Sequence, residues 1–341
     1  MPTERMPIVI AHRGASGYRP EHTLEAYRVA IEMGADFIEP DLVATRDGVL
    51  VVRHENEIGG TTDVAARPAF APRRATKTID GTAVTGWFTE DFTLAELRTL
   101  RARERLPELR PSSAAYDGRF AVPTLDEVIA LARAESAARG RTIGIYPETK
   151  HPSYFDSIGL ALEPPLLAAL ERAGWTDAAA PVFIQSFETA NLRMLRERTS
   201  VRLVQLMEDA GAPYDLVARG DVRTYADLAT PAGLAEIATY ADAIGPAKSL
   251  VVPRGTDGRL GAPTSLVGDA HAAALLGHPW PVRAENHVLQ AELRSGNPAE
   301  PTFAAAHGDL RAEVSVFLAA GVDGVFSDFP DVAREARSSM A

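Results

Sequence analysis

The feature that most restricts what this chain can fold into is an alternation repeated along nearly its whole length. A short run rich in β-branched residues gives way to a polar or glycine-containing turn, then to an Ala/Leu/Glu/Arg segment with helical spacing. Runs expected to be strands lie at 8–11, 37–43, 49–53, 143–146, 182–185, 202–206, 243–245, 280–283 and 324–327. Helical spacing fills 21–33, 125–139, 160–173, 190–198, 233–240 and 311–319. Such alternation predicts a parallel sheet with helices outside it. A doubly wound sheet places a glycine-rich turn after its first strand, and Gly14-Ala-Ser-Gly17 could superficially serve. About eight alternations in one chain fit a distorted (β/α)8 TIM barrel better.

Two segments depart from the pattern. Residues 37–43 and 49–53 are joined by Ala44-Thr-Arg-Asp-Gly48, too short for a crossover helix, so this pair is expected to form a hairpin. Residues 55–123 are rich in Thr, Arg, Pro and Gly and carry one helical segment, at 94–103. They are expected to form an insertion after the third strand, riding over the barrel mouth within a single domain of residues 1–341. Trp87 and Phe88 are its expected contacts to a substrate.

Charge and composition remove whole classes of function. Acidic residues outnumber basic ones, 46 to 35, which disfavours nucleic acid as a partner. With no cysteine, thiol nucleophiles, disulfides, zinc-thiolate and iron–sulfur sites are all excluded. The most apolar stretch, 158–170, is broken by Glu163-Pro164-Pro165 and falls short of the roughly 18 residues of a membrane helix. No stable membrane association is therefore expected. The chain runs from Met1 straight into Ile8-Val-Ile10 without the pattern of a secretory signal. As written it reads as cytoplasmic, or as extracytoplasmic if a leader has been removed.

Ionisable residues repeatedly close the apolar runs. His12-Arg13 follows the first, Glu39 and Asp41 share one face of the second, His54-Glu55 follows the third, and Glu148 and Lys150 share a face after the fourth. Singly, each has a structural explanation, as a satisfied core histidine or a solvated strand end. Together they converge on the carboxyl-terminal mouth, where barrels of this type carry their active sites. Three carboxylates without cysteine make an all-oxygen site suited to one divalent cation, Ca²⁺ or Mg²⁺. Histidine moves protons near neutral pH, Arg offers a bidentate fork to phosphate and Lys a point charge. That set describes phosphate-ester cleavage.

At these residues the sequence resembles the glycerophosphodiester phosphodiesterases. The resemblance rests on His12-Arg13-Gly14, Pro20-Glu21-His22-Thr23, Glu39-Pro-Asp41, Val51-Val-Arg-His54 and Pro147-Glu148-Thr-Lys150. It continues through Gln185-Ser186-Phe187, Val204-Gln-Leu206, His278-Pro-Trp280, Gly321-Val-Asp-Gly324 and Ser327-Asp-Phe-Pro330. The long insertion is similar to that of the larger, periplasmic-type branch. The resemblance implies hydrolysis of a small-molecule glycerophosphodiester to an alcohol and sn-glycerol 3-phosphate. It implies Glu39, Asp41 and Glu148 as metal ligands, with Ca²⁺ or Mg²⁺ as cofactor, and His12 and His54 as the acid/base pair. Arg13 becomes the phosphate binder and Lys150 a residue lining the site. Glu21 joins the substrate-binding group as a support that orients Arg13 or a ligand, while Phe187 and Trp280 line the mouth. His22 stands where the family commonly has Asn, and Glu55 where it has Asp. The alternatives are a phospholipase-D-like or phosphoinositide-cleaving relative, a non-catalytic metal or polyol-phosphate binding barrel, and a metal-dependent sugar isomerase.

Overall fold

The computed structural model describes residues 6–340. The first five residues, on which part of the leader argument rests, lie outside that range.

The strands are β1 (Ile8–Ala11), β2 (Phe37–Ile38), β3 (Asp41–Ala44), β4 (Leu50–Val52), β5 (Ala75–Ile79) and β6 (Thr82–Gly86). They continue as β7 (Gly144–Ile145), β8 (Glu148–Thr149), β9 (Phe183–Ser186), β10 (Arg202–Met207), β11 (Ala243–Pro246), β12 (Leu276–Gly277) and β13 (Gly324–Ser327). One ladder runs β13-β1-β2-β7 and another β12-β11-β10-β9-β8-β3, all parallel, with β4 antiparallel on β3. Proline explains the division. Pro40 separates β2 from β3 and Pro147 separates β7 from β8, because proline has no N–H to give a ladder. Each pair is one barrel stave broken in the middle. Parallel bridges Ile145↔Val182 and Val282↔Ser327 join the two ladders, so eight staves close in chain order. The fold is the distorted (β/α)8 barrel that the alternation predicts.

The expected strand at 280–283 is displaced. Regular pairing occurs at β12, and Pro279 and Pro281 reduce the rest of that stave to single bridges at Trp280 and Val282. The 37–43/49–53 hairpin forms as expected, with Leu42 opposite Val52 and Ala44 opposite Leu50. Within 55–123, the helix expected at 94–103 shrinks to Leu94–Leu97, and an antiparallel β5–β6 hairpin appears that the composition did not suggest. Its tip is Asp80-Gly81, both at positive φ, as a two-residue hairpin turn demands.

Inside the barrel, Ile10, Tyr146, Phe183, Val204, Ala243 and Phe326 pack into one buried cluster below the mouth. Tyr146 stacks on Phe183 at 4.9 Å, and its hydroxyl lies 2.8 Å from His278 Nδ1. The lumen is thus a packed floor, and the site sits above it. The helices pack outside, starting at the capping residues the chain provides. Thr23 accepts from the Ala26 N–H to begin Leu24–Glu32, and Thr124 with Glu127 forms a capping box for Leu125–Arg139. Among the described residues, no helix is long and apolar enough to cross a membrane.

Candidate active site

The carboxyl-terminal ends of the staves open into a cavity of about 680 Å³. His12 and Arg13 enter it from the end of β1, Glu39 from the break between β2 and β3, and Asp41 from the start of β3. His54 follows β4, Glu148 opens β8 and Lys150 follows it, while Phe187 and Trp280 stand on the wall. Of the site residues expected outside the insertion, Glu21 alone does not line the cavity. Its carboxylate accepts from Arg13 Nη1 and Arg105 Nε, each at 3.1 Å, so it acts on the cavity through Arg13. From the insertion, Glu55, Asp80 and Thr82 line the space. Trp87 and Phe88 do not: Phe88 is fully buried, and Trp87 donates its indole N–H to the Phe70 carbonyl at 2.7 Å.

Glu39, Asp41 and Glu148 each direct a carboxylate oxygen to one point, all three lying within 4.8 Å of one another. Oxygens bound to a common cation at about 2.4 Å are separated by up to about 4.8 Å, so the spread suits Ca²⁺ or Mg²⁺. The three carboxylates are also held by neighbouring donors. Glu39 accepts from Gln185 Nε2 at 2.7 Å and from the Arg13 N–H at 2.9 Å. His22 Nε2 donates to Asp41 Oδ2 at 3.0 Å, and Lys150 Nζ pairs with Glu148 at 2.8 Å. Asp41 Oδ1 is buried without a hydrogen-bond partner. A buried, unpaired oxygen on a carboxylate clustered with two others is costly unless a cation joins them. The donor set fits a hard divalent metal.

Burial and then the negative charges of Asp41 and Glu148 push Glu39 well above the usual carboxylate range. Glu148, buried beside Asp41 and only partly offset by Lys150, rises to about 7. Asp41 stays low because His22, His54 and Lys150 outweigh its burial. Without a cation the cluster therefore holds protons more tightly than isolated carboxylates do, and cation binding competes with them. Apparent affinity for Mg²⁺ or Ca²⁺ is expected to rise with pH through about 7, read by titrating the protein at about pH 6 and about pH 8. Equal affinities at the two values would contradict this picture of the triad.

His12 and His54 are each anchored at Nδ1 by a carboxylate. His12 Nδ1 donates to Asp328 Oδ1 at 2.5 Å, and His54 Nδ1 pairs with Glu55 Oε1 at 2.9 Å. Their Nε2 atoms are left at the cavity, 4.0 Å from Glu39 Oε2 for His12 and 3.4 Å from Lys150 Nζ for His54. Burial lowers His12 to about 4 against the pull of Asp328; burial, Arg13 and Lys150 lower His54 to about 3. Arg13 occupies the left-handed region at φ 62, rare for a side-chain-bearing residue, and stays charged through Glu21, Asp41 and Glu39.

The match to known proteins is extensive. Residues 12–332 match the model of the glycerophosphoryl diester phosphodiesterase family. The chain belongs to that family. A glycerophosphodiester phosphodiesterase of Arabidopsis thaliana is 36% identical over 336 residues, covering 95% of this chain and 84% of the relative. One of Haemophilus influenzae is 29% identical, with 96% and 89% covered. Among solved structures, a glycerophosphoryl diester phosphodiesterase from Silicibacter pomeroyi superposes with a TM-score of 0.66 at 20% identity, covering 99% of this chain and 95% of that one. An Oleispira antarctica phosphodiesterase, solved with the product sn-glycerol-3-phosphate, gives a TM-score of 0.62 at 18% identity, with 98% and 97% covered. The chain is thus an enzyme of a phosphodiesterase family.

Several polar residues around this family site escape a reading of strand ends in the first half of the chain. Asp328 follows β13 as His12 follows β1, so the same rule applied to the last strand finds it. Arg283 reaches it at 2.9 Å, and Arg110 ties it to Glu285 from within the insertion. Gln185, near the end of β9, lies in one of the motifs that carry the resemblance, which gives it no role.

Proposed function

We propose that this chain hydrolyses glycerophosphodiesters to an alcohol and sn-glycerol 3-phosphate in a metal-dependent reaction, with His12 and His54 as acid/base pair. What carries the reading is the convergence at one mouth of a buried carboxylate triad, two cations and two histidines, each ring anchored at Nδ1 with Nε2 at the cavity. The product found with the Oleispira antarctica phosphodiesterase fits it. Glu39, Asp41 and Glu148 would hold a Ca²⁺ or Mg²⁺ ion, which would supply positive charge to polarise a phosphoryl oxygen.

The rest falls to the chain's own residues. Arg13, braced by Glu21, and Lys150 bind the phosphate and share its developing charge. Asp328 fixes the His12 tautomer with its proton on Nδ1, so a neutral Nε2 can take a proton from the nucleophile. Burial that keeps His12 neutral suits that role. His54 returns a proton to the departing alkoxide. Among the influences that keep it neutral at rest are Arg13 and Lys150. A bound phosphate offsets those charges and favours protonation of His54.

Five large apolar side chains are exposed among the described residues, Met6, Ile158, Val217, Val222 and Met340, few for a surface that enters lipid, which favours a small diester over membrane lipid. The test is product analysis across glycerophosphocholine, glycerophosphoethanolamine and glycerophosphoinositol. Release of sn-glycerol 3-phosphate supports the reading; release of free glycerol and a phosphorylated head group overturns it.

Phe187 and Trp280 pack edge to face at 5.6 Å on the cavity wall. Removing either ring is expected to cost about 0.5–1.5 kcal/mol of substrate binding, roughly two- to tenfold in kcat/KM. The loss should differ between head groups, while Mg²⁺ or Ca²⁺ affinity stays unchanged. Equal losses across the panel would place both rings outside the head-group contact.

A further inference from the structure

His151 is the one histidine lining the cavity that the proposed chemistry leaves unused. It lies at φ 49, in the left-handed region, just before the helix Pro152–Ser157. Its Nδ1 is 2.6 Å from Asp80 Oδ2 and its Nε2 is 2.9 Å from Glu55 Oε2. The other oxygen of Glu55 holds His54 Nδ1 at 2.9 Å. The result is a continuous chain from the insertion tip to a proposed proton carrier: Asp80, His151, Glu55, His54. Asp80 too is left-handed, at φ 46. Such conformations persist where surrounding contacts hold them, and they gather at functional sites.

We propose that His151 is a positioning residue, which through Glu55 fixes the ring of His54 and makes that orientation depend on docking of the insertion hairpin by Asp80. The proposal rests on the reading of His54 as the acid. Its physical basis is the exposure of the link. The Glu55 side chain is 47% exposed, and a glutamate that open, held by one histidine alone, is free to rotate about its own torsions. Held at both oxygens, it presents Oε1 to His54 in one direction. The clamp is also charged. Burial opposes a proton on His151, but hydrogen bonds to Asp80 and Glu55 outweigh it and lift the ring to about 9. The same partnership holds Glu55 far below the usual carboxylate range. A cation between two anions is thereby maintained on the side of Glu55 away from His54. Outer partners that orient an active-site side chain are typically worth on the order of 10–100-fold in activity.

The test compares four variants of the full chain in its metal-loaded form: His151→Asn, His151→Gln, Asp80→Ala and His54→Ala. Asn tolerates the left-handed backbone but is too short to reach Glu55, whereas Gln can still donate to it. Each is assayed with glycerophosphocholine and with the glycerophosphoryl diester of p-nitrophenol, whose leaving group needs no proton. His151→Asn is expected to lower kcat on glycerophosphocholine by on the order of 10–100-fold, to leave KM within about twofold, and to spare the p-nitrophenyl diester. Gln should recover most of the loss. Asp80→Ala, at the hairpin tip, should repeat the pattern more weakly, and it carries the test if His151→Asn fails to fold. Equal losses on both substrates, or a change in KM alone, mean a structural role and overturn the proposal. So does normal turnover of His151→Asn beside a crippled His54→Ala. If His54→Ala itself turns over normally, the acid reading fails first and the clamp falls with it.

Discussion

Replacing either His12 or His54 by Ala is expected to lower kcat on a natural glycerophosphodiester by about 10²–10⁴-fold, the usual worth of a positioned acid or base. Both rings are held by one carboxylate at Nδ1, and neither belongs to the packed lumen cluster, so the fold should survive. Because the two act in one transition state, the double variant should lose far less than the product of the single losses. The p-nitrophenolate leaving group separates their roles. It should restore turnover to His54→Ala and leave His12→Ala impaired. The opposite pattern reverses the assignment of base and acid. Near-normal turnover of both single variants would make the histidines structural.

Asp328→Ala should damage stability and chemistry together. Asp328 is fully enclosed, accepts from His12 and Arg283, and pairs with Arg110, which is itself buried. Removing one partner of a buried ion pair leaves an uncompensated charge and costs about 3–5 kcal/mol. Arg283, Arg110 and His12 outweigh burial and hold Asp328 well below its usual range. A carboxylate depressed on folding stabilises above its unfolded pKa of about 4, and that contribution is lost as pH falls below it. The variant should therefore melt well below the parent at neutral pH, with the gap narrowing in acid. Its kcat should fall as well, since His12 loses the acceptor that fixes its tautomer. Asp328→Asn keeps the volume and should separate the effects, recovering more stability than turnover. A parent-like melting temperature for Asp328→Ala would contradict the network described here.

Much of this was legible in the sequence for a physical reason: a barrel stave is local. Its β-branched run, its turn and its helix are consecutive, and the residue closing the run reaches the mouth whatever the rest of the chain does. His12, Glu39, Asp41 and Glu148 could be placed by that rule alone. Interruptions by Pro40, Pro147, Pro279 and Pro281 shifted boundaries without changing topology. The insertion was less legible because its order is not periodic. The Asp80-Gly81 turn between Thr-rich runs is a hairpin signal, yet composition hid it among loop residues. Least legible were pairings across the fold. Asp328 meets His12 at a separation of 316 residues, and Arg110 meets Asp328 at 218. Nothing in local spacing marks such partners. The same holds for Asp80 and His151, whose meeting depends on where the hairpin docks.

The account stands most directly on the carboxylate triad, and one assay addresses it. Release of sn-glycerol 3-phosphate from glycerophosphocholine is followed after exhaustive chelation, then after Ca²⁺ or Mg²⁺ is restored, with melting temperature measured in parallel. The account predicts loss of activity with chelator, recovery with the cation, and a higher melting temperature when metal is bound, since binding to the folded state alone adds about 2.7 kcal/mol at a hundredfold excess over Kd. Glu148→Gln should show neither the recovery nor the thermal shift at the same cation concentration. Undiminished release of sn-glycerol 3-phosphate from the fully chelated protein would contradict the assignment of Glu39, Asp41 and Glu148 and the metal-dependent mechanism built on them.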